Sequence, residues 1–131
     1  MAKLLVVEDN PDLAEPLILI LGALGHRVDA AGDGEEGLAH LEEGKLPDLV
    51  LLDVEMPVLD GPGMAYRMLI EDVGKDRIPL ILLSGVMDLY KVAEKVGTPY
   101  YLPKPYRLEN LLELLERALA ERRPPHPTQS H

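Results

Sequence analysis

Residues 3–26 read KLLVVEDNPDLAEPLILILGALGH, and this stretch decides the fold. Lys3–Val7 (KLLVV) is a continuous apolar run, the pattern of a strand buried on both faces. Glu8 and Asp9 follow it. Asn10 then Pro11 is a helix start, with Asn as the N-cap and Pro at the first helical position. Leu13, Leu17, Ile20, Leu21 and Leu24 recur at helical spacing, and Gly25 is placed to end the helix. Pro16 removes one backbone hydrogen bond inside that helix, which predicts a late start or a slight kink.

Outward from this unit, the same strand-then-helix order repeats. His26–Ala31 is a short second strand, and a helix with Leu38 and Leu41 inward is expected over Gly34–Glu43. Asp48–Leu52 (DLVLL) is a third buried strand with Asp53 at its end. Gly61 and Pro62 open a helix that runs to about Glu71. Pro79–Leu83 (PLILL) is the fourth strand, ending at Ser84. A short helix over Asp88–Val96 and a short strand over Tyr100–Leu102 come next. Arg107–Glu121 is amphipathic, with Leu108, Leu111, Leu112, Leu115 and Leu119 on one face. Continuous apolar strands alternating with helices predict a parallel sheet covered on both faces, and right-handed crossovers make it doubly wound. From Arg122 onward, RRPPHPTQSH has no apolar period and reads as a disordered tail or linker stub over 122–131. The expected organisation is therefore one domain over 1–121 followed by that tail.

Bulk properties narrow the function. A chain of 131 residues, 47% hydrophobic and 27% charged, suits one soluble domain. The absence of cysteine excludes disulfides, thiolate metal sites and cysteine nucleophiles. A net charge of −10 argues against direct nucleic-acid binding, which needs a basic surface. No apolar run is long enough to cross a bilayer, and MAKLLVVEDN is not a signal peptide; a cytoplasmic location is expected.

In a doubly wound sheet, ligands bind at the carboxyl ends of the strands. This sequence places Glu8 and Asp9, Asp53, Ser84 and Lys104 there, from four separate strands. Three carboxylates ~4 Å apart would repel by about 4 kcal/mol per pair at an effective dielectric near 20. Oxygen-only ligands in an open cluster suit a hard divalent cation such as Mg2+. Carboxylates, a cation, a lysine and a hydroxyl are the parts of a phosphoryl-transfer site, with a carboxylate as nucleophile. Any one of these residues alone is an ordinary polar strand end; the set on one edge is not.

Four motifs in this order resemble the response-regulator receiver family, the CheY-like superfamily, over about Lys3 to Glu121: VVEDN, LLDVEMPVLDG, ILLSG and YLPKPY. The resemblance implies a flavodoxin-like three-layer α/β sandwich with strand order 2-1-3-4-5. It implies that Asp53 is the phosphoacceptor and that Asp9 and Asp53 bind Mg2+, with Mn2+ as a substitute. Glu8 acts through a metal-bound water, and the Glu55 backbone carbonyl completes the protein ligands. Ser84 hydrogen-bonds the phosphoryl group, Lys104 pairs with Asp53 or with a phosphoryl oxygen, Tyr101 matches the switch aromatic, and Lys104–Pro105 is implied to be a cis peptide. Read alone, Tyr101 is a half-buried strand aromatic. The implied partners are a sensor histidine kinase or phosphotransfer protein and an unidentified downstream protein. The implied output surface joins the last two helices and the last strand, and the implied state is a monomer or a weak phosphorylation-dependent dimer.

Three features fall outside the common pattern. The stretch from Ser84 to Lys104 is about two residues short, judged by the resemblance. GTPYYL (97–102) lacks the paired acids that mark the large DNA-binding subfamily, and Glu55 sets another acid beside the site. A phosphorylation-independent interaction module is the alternative reading. A phosphoaspartate-forming hydrolase of the haloacid dehalogenase type would need aspartate where Glu55 stands.

Overall fold

The computed structural model describes residues 2–33, 35–37, 39, 46–53, 78–85 and 89–125, and the backbone alone of Asp53. Glu55, the expected helix from Gly61 to Glu71 and most of the expected Gly34–Glu43 helix lie outside the described residues. The strands are β1 (Lys3–Val7), β2 (Arg27–Ala31), β3 (Leu49–Asp53), β4 (Leu80–Ser84) and β5 (Tyr100–Pro103). They form one parallel sheet in the order β2-β1-β3-β4-β5. The fully described helices are α1 (Pro11–Ala23), α2 (Leu89–Val96) and α3 (Leu108–Glu121).

Strand residues alternate between two cores. Leu5, Val7, Val50, Leu52, Leu80 and Leu82 meet Leu89, Ala93 and Val96 of α2 on one face. Leu4, Val6, Leu49, Leu51, Ile81, Leu83 and Tyr100 meet Leu21 of α1 and Leu111, Leu115 and Ala118 of α3 on the other. Each fully buried leucine contributes about 1.5–3 kcal/mol. The central strands β1, β3 and β4 are apolar at nearly every position because both of their faces are covered. The edge strands β2 and β5 are shorter in apolar content, and Pro103 sits on an edge where a missing donor is tolerated.

The α1 start follows its sequence signal. Asn10 Oδ1 accepts the Asp12 N–H at 2.9 Å, with Pro11 opening the helix. Gly25 takes φ +96 just past the end, a backbone conformation that glycine adopts without strain. The predicted late start is not found: α1 runs unbroken through Pro16. Pro16 and Asp12 both face solvent, so water can satisfy the Asp12 carbonyl that loses its partner. The expected inward stripe is also rotated. Ala14 and Leu21 are buried with Leu17 and Ile18 beside them, while Leu13, Ile20 and Leu24 are exposed. A helix carrying LILIL offers several apolar stripes, and the sheet selects one.

In α3, Leu111, Leu115 and Ala118 are buried, and Leu108 is exposed at the first turn. Arg122 ends α3 in the left-handed region, at φ 51, and its N–H donates to the Ala118 carbonyl at 2.8 Å. The chain then stays against the body. Arg122 pairs with Asp48 at 3.6 Å, and Pro125 is buried. Of the expected tail over 122–131, residues 122–125 are described, and residues 126–131 lie outside the described residues. Among the described residues no helix is long and apolar enough to cross a membrane.

Candidate functional site

Register puts the polar residues level with one another. Val7 pairs with Leu52, Asp53 with Leu83, and Ser84 with Pro103. Glu8 therefore follows β1 at the height where Asp53 ends β3 and Ser84 ends β4. Two backbone bonds extend the ladder past the strands. The Glu8 N–H donates to the Ala31 carbonyl at 3.0 Å, and the Lys104 N–H donates to the Ser84 carbonyl at 2.8 Å. The Lys104–Pro105 peptide bond is cis.

Lys104 Nζ stands 3.7 Å from Glu8 Oε1, with the Glu8 side chain only 8% exposed and that of Lys104 27%. This is an ion pair in partial shelter. Its attraction is worth about 4 kcal/mol at an effective dielectric of 20, much of it offset by the cost of removing both charges from water. Ser84 is fully buried, and no buried side-chain oxygen or nitrogen among the described residues lacks a hydrogen-bond partner. Asp9 is exposed beside Glu8. The structure thus brings Glu8, Ser84 and Lys104 together and sets Asp9 next to them. Asp53 reaches the same edge by its backbone, and its side chain lies outside the described residues.

Tyr101 is not at this edge. It is paired with Leu82 in the sheet and is 40% exposed, three positions before Lys104. Tyr100, its neighbour, is fully buried on the opposite face. The Glu8–Lys104 pair is a contact that the sequence reading did not include. Spacing carries no signal for it, because a contact between side chains from two strands depends on their geometry.

The donors at this edge are all oxygens, which fits a hard divalent cation and not a thiophilic one. Among the described residues, no three His, Cys, Asp or Glu side chains form a metal-sized group by themselves. Glu8 and Asp9 are the described contributors, and the resemblance adds Asp53 and the Glu55 carbonyl.

A doubly wound sheet with acids after β1 and β3 and a lysine after β5 is the arrangement of the receiver class of signalling domains. The chain belongs to that family: the response regulator receiver domain model matches residues 4–116. It is 36% identical over 122 residues to the protein PilH of Pseudomonas aeruginosa, covering 92% of this chain and 99% of PilH. Solved structures are similar as well, two of them with bound magnesium. The receiver domain of the sensor histidine kinase PA1611 of P. aeruginosa, with a magnesium ion coordinated in its active-site cleft, has a TM-score of 0.80 and 29% identity, covering 91% of this chain and 98% of that one. The response regulator TrrA of Thermotoga maritima, in complex with Mg2+ and BeF, has a TM-score of 0.77 and 30% identity, covering 89% of this chain and 98% of TrrA.

Proposed function

We propose that this domain is a phosphoacceptor switch, which takes a phosphoryl group onto Asp53 from a phosphohistidine of a sensor kinase or phosphotransfer protein. The observation that carries this reading is the meeting of Glu8, Ser84 and Lys104 at the strand edge where Asp53 ends β3. An Asp53 carboxylate oxygen attacks phosphorus, the P–N bond of the donor breaks, and the departing imidazole takes up a proton from solvent. Lys104 and the Ser84 hydroxyl receive the phosphoryl oxygens as charge develops on them. Glu8, Asp9, Asp53 and the Glu55 carbonyl would hold Mg2+, or Mn2+ in its place. A bound divalent cation there supplies neutralisation of the carboxylates and the phosphoryl group. The magnesium in the PA1611 receiver domain and the Mg2+–BeF complex of TrrA support this assignment by analogy.

Tyr101 is the reporter. It stands outward, and on phosphorylation Ser84 shifts toward the new oxygens and Tyr101 turns into the space it leaves. The surface of α2, β5 and α3 then regulates a downstream protein. The domain does not turn over a separate substrate, works in the cytoplasm without binding nucleic acid directly, and is a monomer or a weak phosphorylation-dependent dimer.

Amide NMR with Mg2+ and beryllofluoride tests the switch. Shifts at Ser84, Tyr101 and Lys104 are expected in the wild type and not in Asp53→Asn. Unchanged spectra, or equal changes in both proteins, would point to a module that works without phosphorylation.

A further inference from the structure

Behind Lys104, between α1 and the segment that follows β5, lies a cavity of about 430 Å3. That volume falls in the range of roughly 300–1,000 Å3 found for small-molecule pockets. Val6, Leu51 and Leu83 floor it, and Leu13, Ala14 and Leu17 of α1 form one wall. Among the described lining residues, Glu8, Lys104 and Tyr106 alone carry a side-chain polar group. We propose that this cavity is a binding site for a neutral small molecule with a compact apolar body and one hydroxyl head.

The polarity of the lining selects the ligand. The apolar walls suit an aryl or short alkyl body and penalise a buried charge. Glu8 in the lining of a chain with net charge −10 disfavours an anionic head, and Lys104 disfavours a cationic one. Lys104 Nζ and Glu8 Oε1 stand 3.7 Å apart in the cavity lining, and together they offer both a donor and an acceptor. A hydroxyl set beside both groups can accept from Lys104 and donate to Glu8. The occupant would then hold Lys104 away from an incoming phosphoryl group. Only this last consequence rests on the phosphoacceptor reading.

The probe is para-ethylphenol, titrated into the full chain without Mg2+ or phosphodonor and followed by amide and methyl NMR. Saturable shifts are expected at Leu17, Leu83 and Lys104, with para-ethylbenzoate binding at least ten times more weakly. Ala14→Leu fills the cavity and should weaken binding tenfold or more; Leu17→Phe does the same if Ala14→Leu does not fold. No saturable shift at those residues, equal binding of the carboxylate, or undiminished binding to the filled variants overturns the proposal. Saturating para-ethylphenol should also slow phosphoryl uptake from acetyl phosphate several-fold in the wild type and not in Ala14→Leu. Binding with an unchanged rate overturns the link to Lys104. Because binding is read without a phosphodonor, a chain that binds the phenol but takes no phosphoryl group refutes the phosphoacceptor reading alone.

Discussion

The two ends of the sheet are fastened in different ways. At the amino-terminal end, Asp48 Oδ2 accepts the Lys3 N–H at 2.8 Å, and Arg122 pairs with the same carboxylate group at 3.6 Å. Thr98 Oγ1 donates to the Leu80 carbonyl at 2.6 Å and accepts the Tyr100 N–H at 3.2 Å. The Tyr100 hydroxyl donates to Glu121 at 2.9 Å, and the Arg117 guanidinium lies 5.2 Å from the Tyr100 ring centre. At the carboxyl-terminal end, Glu8 and Lys104 form an ion pair at 3.7 Å, and Asp9 is exposed beside it. The lesson is a division of labour. Hydrogen bonds and an ion pair close the base, and the site edge sets two neighbouring acids, Glu8 and Asp9, beside Lys104, a charge balance that the proposed Mg2+ would complete.

That division can be broken from either end. The largest effect is expected at the site edge. Lys104→Ala removes the cation proposed to meet the phosphoryl oxygens, so uptake from acetyl phosphate should fall about 10²–10³-fold, and the urea midpoint should also drop because the sheltered Glu8 carboxylate loses this partner. Uptake within threefold of the wild type would show that Lys104 is a structural residue only. At the base only stability should move. Asp48→Ala leaves the Lys3 N–H and Arg122 without their acceptor and should cost about 1–2 kcal/mol in urea unfolding, with phosphoryl uptake unchanged. The Arg122 share is small, because that pair is half exposed.

The smallest effect belongs to Tyr100→Phe, at about 0.5–1.5 kcal/mol for the bond to Glu121. It carries a pH signature. Burial, and then the hydrogen bond to the Glu121 carboxylate, hold the Tyr100 hydroxyl above the usual tyrosine range, against a smaller opposing pull from the Arg123 N–H. A raised folded-state value means that this stability is fully present below pH ~10 and is lost as pH climbs through the folded value. Wild-type stability should therefore drop more steeply above pH ~10 than that of Tyr100→Phe. Parallel curves in alkaline urea titrations would refute the assignment.

Legibility in the sequence followed the same division. The strands of the core were readable because both faces demand apolar residues, as in LLVV of β1 and LILL of β4. The site edge was readable because polar residues ending such strands stand out at once. The rotation of α1 was not, since Leu13, Leu17, Ile20 and Leu21 allow more than one buried stripe. The fastenings of the base were hidden as well. Asp48 meets Lys3 across 45 positions and Tyr100 meets Glu121 across 21, and no local pattern marks such pairs. The burial of Pro125 has no mark in the sequence, because a single proline leaves no periodicity. Glu8 and Lys104 were both chosen from sequence, and their pairing needed coordinates.

The central claim is that Asp53 takes the phosphoryl group. Intact-mass measurement after incubation with acetyl phosphate and Mg2+ tests it most directly. The wild type should gain one phosphoryl mass and Asp53→Asn none. No gain on the wild type, or an equal gain on Asp53→Asn, would contradict the account.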